Sequence, residues 1–160
     1  MKLFCAKTAL FLSLTACLWS AHPASVRAQA TAVATQPLHF GTFAITDFDV
    51  VGRITINTNG TYNRTGSIFI IDPPQRGEYT VSGGTPDTDF TITTSPASVT
   101  LTGLSNPLTV DNFVVTPSNA RTDVGGNETF TISARLSTGG GGLTHADGSH
   151  DGNFDVIMNF

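Results

Sequence analysis

The chain is 160 residues long, with eight basic residues, twelve acidic residues and four histidines, for a formal net charge of −4. So few cations give nucleic acid no clustered counter-charge to bind, because phosphate recognition needs grouped Lys and Arg. Lys2 and Lys7 are the only lysines and Cys5 and Cys17 the only cysteines, so beyond residue 17 the chain carries no amine for Schiff-base or isopeptide chemistry and no disulfide framework.

The first segment reads as an address. Lys2 and Lys7 precede the apolar run Ala9 to Trp19 (ALFLSLTACLW), and SAHPASVRAQA then supplies small residues, the layout of a secretory signal peptide. The run is too short to span a bilayer, and nothing later is apolar enough to do so, so no membrane span is expected in the mature form. Val26-Arg27-Ala28 places small side chains where a signal peptidase reads them. Cleavage is therefore expected between Ala28 and Gln29, with Ala28-Gln29-Ala30 as the next choice. A rival exit is Leu14-Thr15-Ala16-Cys17, the small-residue pattern before Cys that would leave a lipoprotein anchored through Cys17; Leu18 and Trp19 argue against it by prolonging the apolar run. Export implies a secreted or cell-surface protein in transit through the periplasm. Once the signal has gone, five arginines face twelve acidic residues, and a single core must hold the domain together without disulfides.

Gln29 to Pro37 (QATAVATQP) has β character but little apolar surface, and is expected to be an extended N-terminal arm. From Leu38 to Phe160, apolar and polar residues alternate in runs rich in Thr, Val, Ile and Phe. That is the period of half-buried strands, and no segment reads as a helix. Strands are expected at 38–46, 51–58, 65–72, 77–83, 89–94, 98–103, 108–116, 128–137 and 154–160. Asn59-Gly60, Asp72-Pro73-Pro74, Thr116-Pro117-Ser118 and Gly125-Gly126-Asn127 supply the breaks between them. No internal repeat and no second domain is apparent, so residues 38–160 read as one all-β domain, an antiparallel β-sandwich of about seven to nine strands.

Gly139 to Gly142 should form a loose loop, and beyond it HADGSHDG (145–152) packs His145, Asp147, His150 and Asp151 into eight residues. A zinc site needs ligands converging from a helical HExxH spacing or from neighbouring strands, and this run has neither. A calcium loop would need a closing Glu that does not follow Asp151, Asn153 and Asp155. The run reads as a polar connection into the final strand, with no metal and no cofactor expected. No GxSxG element and no Cys nucleophile exists in the domain. The carboxylate pairs Asp47 with Asp49 and Asp87 with Asp89 flank strands where Asp commonly ends pairing, so no catalytic residues and no enzyme are expected. Three Asn-X-Thr triplets, at Asn59, Asn63 and Asn127, fit the glycosylation pattern, as chance allows in a chain rich in Asn and Thr.

The ordered set LHFGTF (38–43), GEYTVSG (77–83), DFTITT (89–94), SVTLTG (98–103), LTVDNFVVTPS (108–118), TFTISARLS (129–137) and GNFDVIMNF (152–160) resembles a secreted domain-of-unknown-function family of Gram-negative bacteria whose members are similar to fimbrial major subunits. The resemblance implies an immunoglobulin-like sandwich serving as a pilus or surface-fibre subunit and active in cell adhesion. Its partners would be copies of itself or related subunits, a periplasmic chaperone and an outer-membrane usher. It transfers no catalytic residue. The chain departs from many chaperone-assembled pilins in ending Asn159-Phe160 without a penultimate Tyr and in having no Cys in the domain. In the last strand Phe154, Val156, Met158 and Phe160 alternate on one face. By resemblance, that strand borders the groove where subunits join, and the arm is either donated to a neighbour or paired within its own domain. The other reading of the same residues is a freestanding binding module that recognises a glycan or protein through its loops.

Overall fold

The computed structural model describes residues 30–102, 106–145 and 147–160. The signal segment 1–28, the cleavage point at Ala28 and Gln29, and Cys17 lie outside the described residues.

Among the described residues there are twelve strands and no helix: β1 (Thr31–Gln36), β2 (Thr42–Ile45), β3 (Arg53–Ile56), β4 (Tyr62–Thr65), β5 (Ile68–Asp72), β6 (Gly77–Ser82), β7 (Asp89–Ser95), β8 (Ser98–Thr100), β9 (Thr109–Thr116), β10 (Asn119–Arg121), β11 (Glu128–Ser137) and β12 (Asp155–Asn159). Alternation makes them strands, and burial follows it. In β11, Phe130, Ile132, Ala134 and Leu136 fall on every second position and all four are buried. β7 does the same with Phe90 and Ile92, and β3 with Ile54 and Ile56.

Every pairing is antiparallel, and the sheets stack as a sandwich. β11 is the axis of a seven-stranded sheet. One of its edges carries β9 and then β8; the other carries β6 along Glu128–Ile132 and β3 along Arg135–Ser137, with β1 outside β6 and β4 outside β3. The facing layer is divided into the three-stranded sheet β10-β7-β12 and the two-stranded sheet β2-β5. The core is divided accordingly. One buried cluster (Ile54, Ile68, Leu108, Val110, Ala134, Leu136) lies under β2-β5, and the other (Val81, Phe90, Ile92, Phe130, Ile132) lies under β10-β7-β12.

Two of the changes of layer are made at glycines. Between β1 and β2, Gly41 takes φ +69°, and a Cβ there would meet the Asp72 carbonyl oxygen at 2.1 Å; between β4 and β5, Gly66 takes φ +69°, and a Cβ would meet the Val51 carbonyl oxygen at 2.1 Å. Neither position admits a side chain. The expected strand 65–72 is therefore β5, starting at Ile68 after the corner at Gly66, because an isolated glycine in a strand pattern marks a bend.

β1, β4 and β10 are strands beyond the nine expected from sequence. β1 corresponds to the arm, which pairs with β6 of its own domain. β4 (YNRT) is exposed at all four positions, so it has no alternation to read, and β10 is three residues long.

Candidate functional site

The division of the second layer leaves a cleft of about 910 Å³. One wall is the stretch from Leu38 through β2, which pairs with β5 alone. The opposite wall is His145 with the Asp147 to Gly152 stretch and Phe154, the approach to β12, which pairs with β7 alone. Val99, Leu108, Val110, Phe113 and Leu136 from the large sheet line it as well. β2 and the loop that leads into β12 thus stand on either side of an apolar floor, and among the described residues no strand pairs with β2 on its edge away from β5. The N–H and C=O groups on an unpaired strand edge are available to an added strand.

The HADGSHDG connection is exposed at most of its described positions and also lines one wall of this cleft. Asn106, in the left-handed conformation at φ 65°, donates from Nδ2 to the Thr144 carbonyl at 2.8 Å and accepts from His145 Nδ1 at 2.6 Å through its own carbonyl. A carbonyl can only accept, so the His145 proton sits on Nδ1. His39, across the cleft, has the opposite tautomer: its Nδ1 accepts from the Gly41 N–H at 3.2 Å, leaving Nε2 to donate to Gln75 Oε1 at 3.3 Å. The Thr102 backbone bridges to Asp151, closing the wall at its far end. His150 is half-buried in the same wall.

Among the described residues, no three His, Cys, Asp or Glu side chains are placed to hold a metal ion. The two carboxylate pairs have local roles. Asp47 Oδ1 accepts the Asp49 N–H at 2.9 Å in a turn, while Asp87 and Asp89 face Arg121 at 4.0 and 3.2 Å. Asn59 Oδ1 caps its own turn by accepting from the Thr61 N–H at 3.0 Å. Asp123 Oδ1 accepts from the N–H groups of Gly125 and Asn127, both at 2.8 Å, and these bonds hold its carboxyl below the usual carboxylate range, that from Asn127 contributing most.

The C-terminal strand keeps its expected alternation. Phe154, Val156 and Met158 are half-buried against the second core cluster while Asp155, Ile157 and Asn159 face outward. Phe160 lies on the inward side but is 57% exposed, its ring stacked on Phe90 at a centroid distance of 4.8 Å. Phe154 meets Phe113 at 4.9 Å, which ties the approach to β12 to the cleft floor.

The molecule is an antiparallel β-sandwich in which a seven-stranded sheet is faced by two smaller sheets that do not pair with each other. By sequence the chain belongs to the family described as Domain of unknown function (DUF4402), whose model matches residues 30–160. No curated protein and no solved structure matches the chain. Among the described residues, no helix is long and apolar enough to cross a membrane.

Proposed function

We propose that the protein is an exported structural subunit of a bacterial surface fibre, resembling a fimbrial subunit, in which an extended segment of one copy completes a sheet of the next. The observation that carries this reading is β1. The N-terminal segment forms the outermost strand of the large sheet and is held mainly by its ladder to β6; of its side chains, Ala32 packs on the core cluster, joined by Ala30 just before the strand. A strand held by backbone bonds, with little apolar area of its own, can be replaced by the same strand from another molecule at small cost. The cleft between β2 and the approach to β12 suits a second partner in this scheme. A periplasmic chaperone's extended strand would cover its apolar floor during transit, before an outer-membrane usher assembles the fibre.

A second reading draws on the same cleft. His39, His145, His150, Asp147 and Asp151 line the hollow beside its apolar floor, a combination that also suits a freestanding binding module, secreted or lipid-anchored, holding a glycan or peptide. Gel filtration and electron microscopy of the exported protein, supplied with any chaperone and usher encoded beside it, separate the two. Polymers are expected for the fibre subunit, and a persistent monomer would favour the binding module.

A further inference from the structure

We infer that the exchanged element is Ala30 with the first four residues of β1, 31–34, and that its acceptor is the β6 edge of a second copy. This rests on the fibre reading and identifies the place where subunits join.

The ladder between β1 and β6 is interrupted by a bulge. Thr31, Ala32, Val33 and Ala34 pair in turn with Ser82, Val81, Thr80 and Tyr79, but the next pair is Gln36 with Glu78, so Thr35 is an extra residue without a Cα partner. A bulge of this kind interrupts pairing and bends the strand. Pro37 then removes another N–H from the edge. Inside these breaks the chain is fastened: Gln36 Nε2 donates to the Arg76 carbonyl at 2.9 Å, and His39 and Gln75 exchange backbone bonds at 3.0 and 2.8 Å. Outside them, Val33 is 59% exposed, and the side-chain bonds are Thr31 Oγ1 with Ser82 Oγ at 3.4 Å and, at the bulge, Thr35 Oγ1 to the Glu78 carbonyl at 3.1 Å. The bulge at Thr35 is where the chain would hinge, and the exchange would open the four pairs beyond it and form them again on a second copy.

In exchange, the hydrogen bonds and packing broken within one chain form again between two, so concentration and geometry decide which form prevails; short hinges favour the exchanged form. A second copy is the matching occupant because the vacated edge, Tyr79 to Ser82, has the register of this segment. An open edge also invites pairing until it is covered. The cleft is a poor acceptor for the arm. Its floor of Val110, Phe113 and Leu136 calls for large side chains, and the arm offers alanine methyl groups. Five extended residues reach about 17 Å, so subunits joined this way touch directly.

The test uses the full chain carrying Val33→Cys and Thr80→Cys, which face each other across the ladder, with Cys5→Ser and Cys17→Ser to remove other thiols. Cross-strand partners lie within the span of a disulfide. Oxidation in dilute solution is expected to give an intramolecular link that blocks polymerisation until it is reduced. Oxidation after assembly is expected to give a covalent ladder of multimers. Fibres whose link stays within one chain, or that form no link, would overturn the exchange while leaving the fibre reading in place. A reduced chain that never polymerises would remove both. Hydrogen exchange on the chain without these substitutions provides a check independent of the cysteines. The amides of residues 31–34 should exchange faster in the monomer than those of Phe130 to Leu136 and become protected on assembly, and equal protection in the monomer would contradict a free-leaving strand.

Discussion

Tyr79 sits where the arm, β6 and the core meet: it pairs with Ala34 on one side and Phe130 on the other, and its ring stacks on that of Phe130 at a centroid distance of 5.3 Å. Burial raises its phenol pKa above the ordinary value of about 10. The folded state therefore keeps the proton that the unfolded chain gives up. The stability this represents is complete below the ordinary value and falls as pH rises through and above it. The thermal midpoint is expected to decline above about pH 10, and Tyr79→Phe should remove that part of the decline. Met158 makes a second residue-scale test. It pairs with Ile92 and packs half-buried on the second cluster, so Met158→Asp brings a carboxylate against apolar neighbours and is expected to cost about 2 kcal/mol or more in denaturant unfolding and to lower the yield of exported protein. Ile157→Asp, on the outward face of the same strand, should change stability far less.

β9 shows how an element can be legible in type and hidden in detail. Its sequence alternates as a strand should, but strict alternation would put Leu108, Val110, Asn112 and Val114 on one face. In the structure Leu108 and Val110 are buried, Asn112 has φ 52°, and Phe113 and Val115 then turn inward. Opposite β11, pairing jumps from Asp111–Arg135 to Val114–Ser133, so two residues face one. Asn is tolerated in the left-handed region, and this bulge returns the hydrophobic side chains to the core. Asn112→Gly should be neutral within about 0.5 kcal/mol, whereas Asn112→Val should cost about 1–2 kcal/mol; urea midpoints would distinguish them. The same physics explains what sequence left out. β1 and β4 bury too little to carry a periodic signal, and the corner at Gly66, which starts β5 three residues later than expected, shows only in the close approach to Val51. The cleft was not legible at all. It arises because β2 and the approach to β12 do not pair, and which strands become neighbours is a tertiary fact that no single strand's periodicity encodes.

For the whole molecule, the complete large sheet and divided second layer assign different roles to different parts. The core clusters centred on β11 hold the fold, the cleft offers an apolar floor between β2 and the loop into β12, and the arm is fastened at Gln36 and His39 and, beyond the bulge at Thr35, by its ladder to β6. The domain has neither cysteine nor lysine, so a fibre built from it would be joined without disulfide or lysine isopeptide links. Removing residues 29–35 should therefore spare folding, because the buried residues of both clusters lie elsewhere. The most direct test of strand-donated assembly is electron microscopy of exported full-length protein beside this deletion, both with the neighbouring chaperone and usher supplied. Fibres from the full-length chain and only folded monomers from the deletion are the expected result. Fibres from both, or monomers from both, would contradict it.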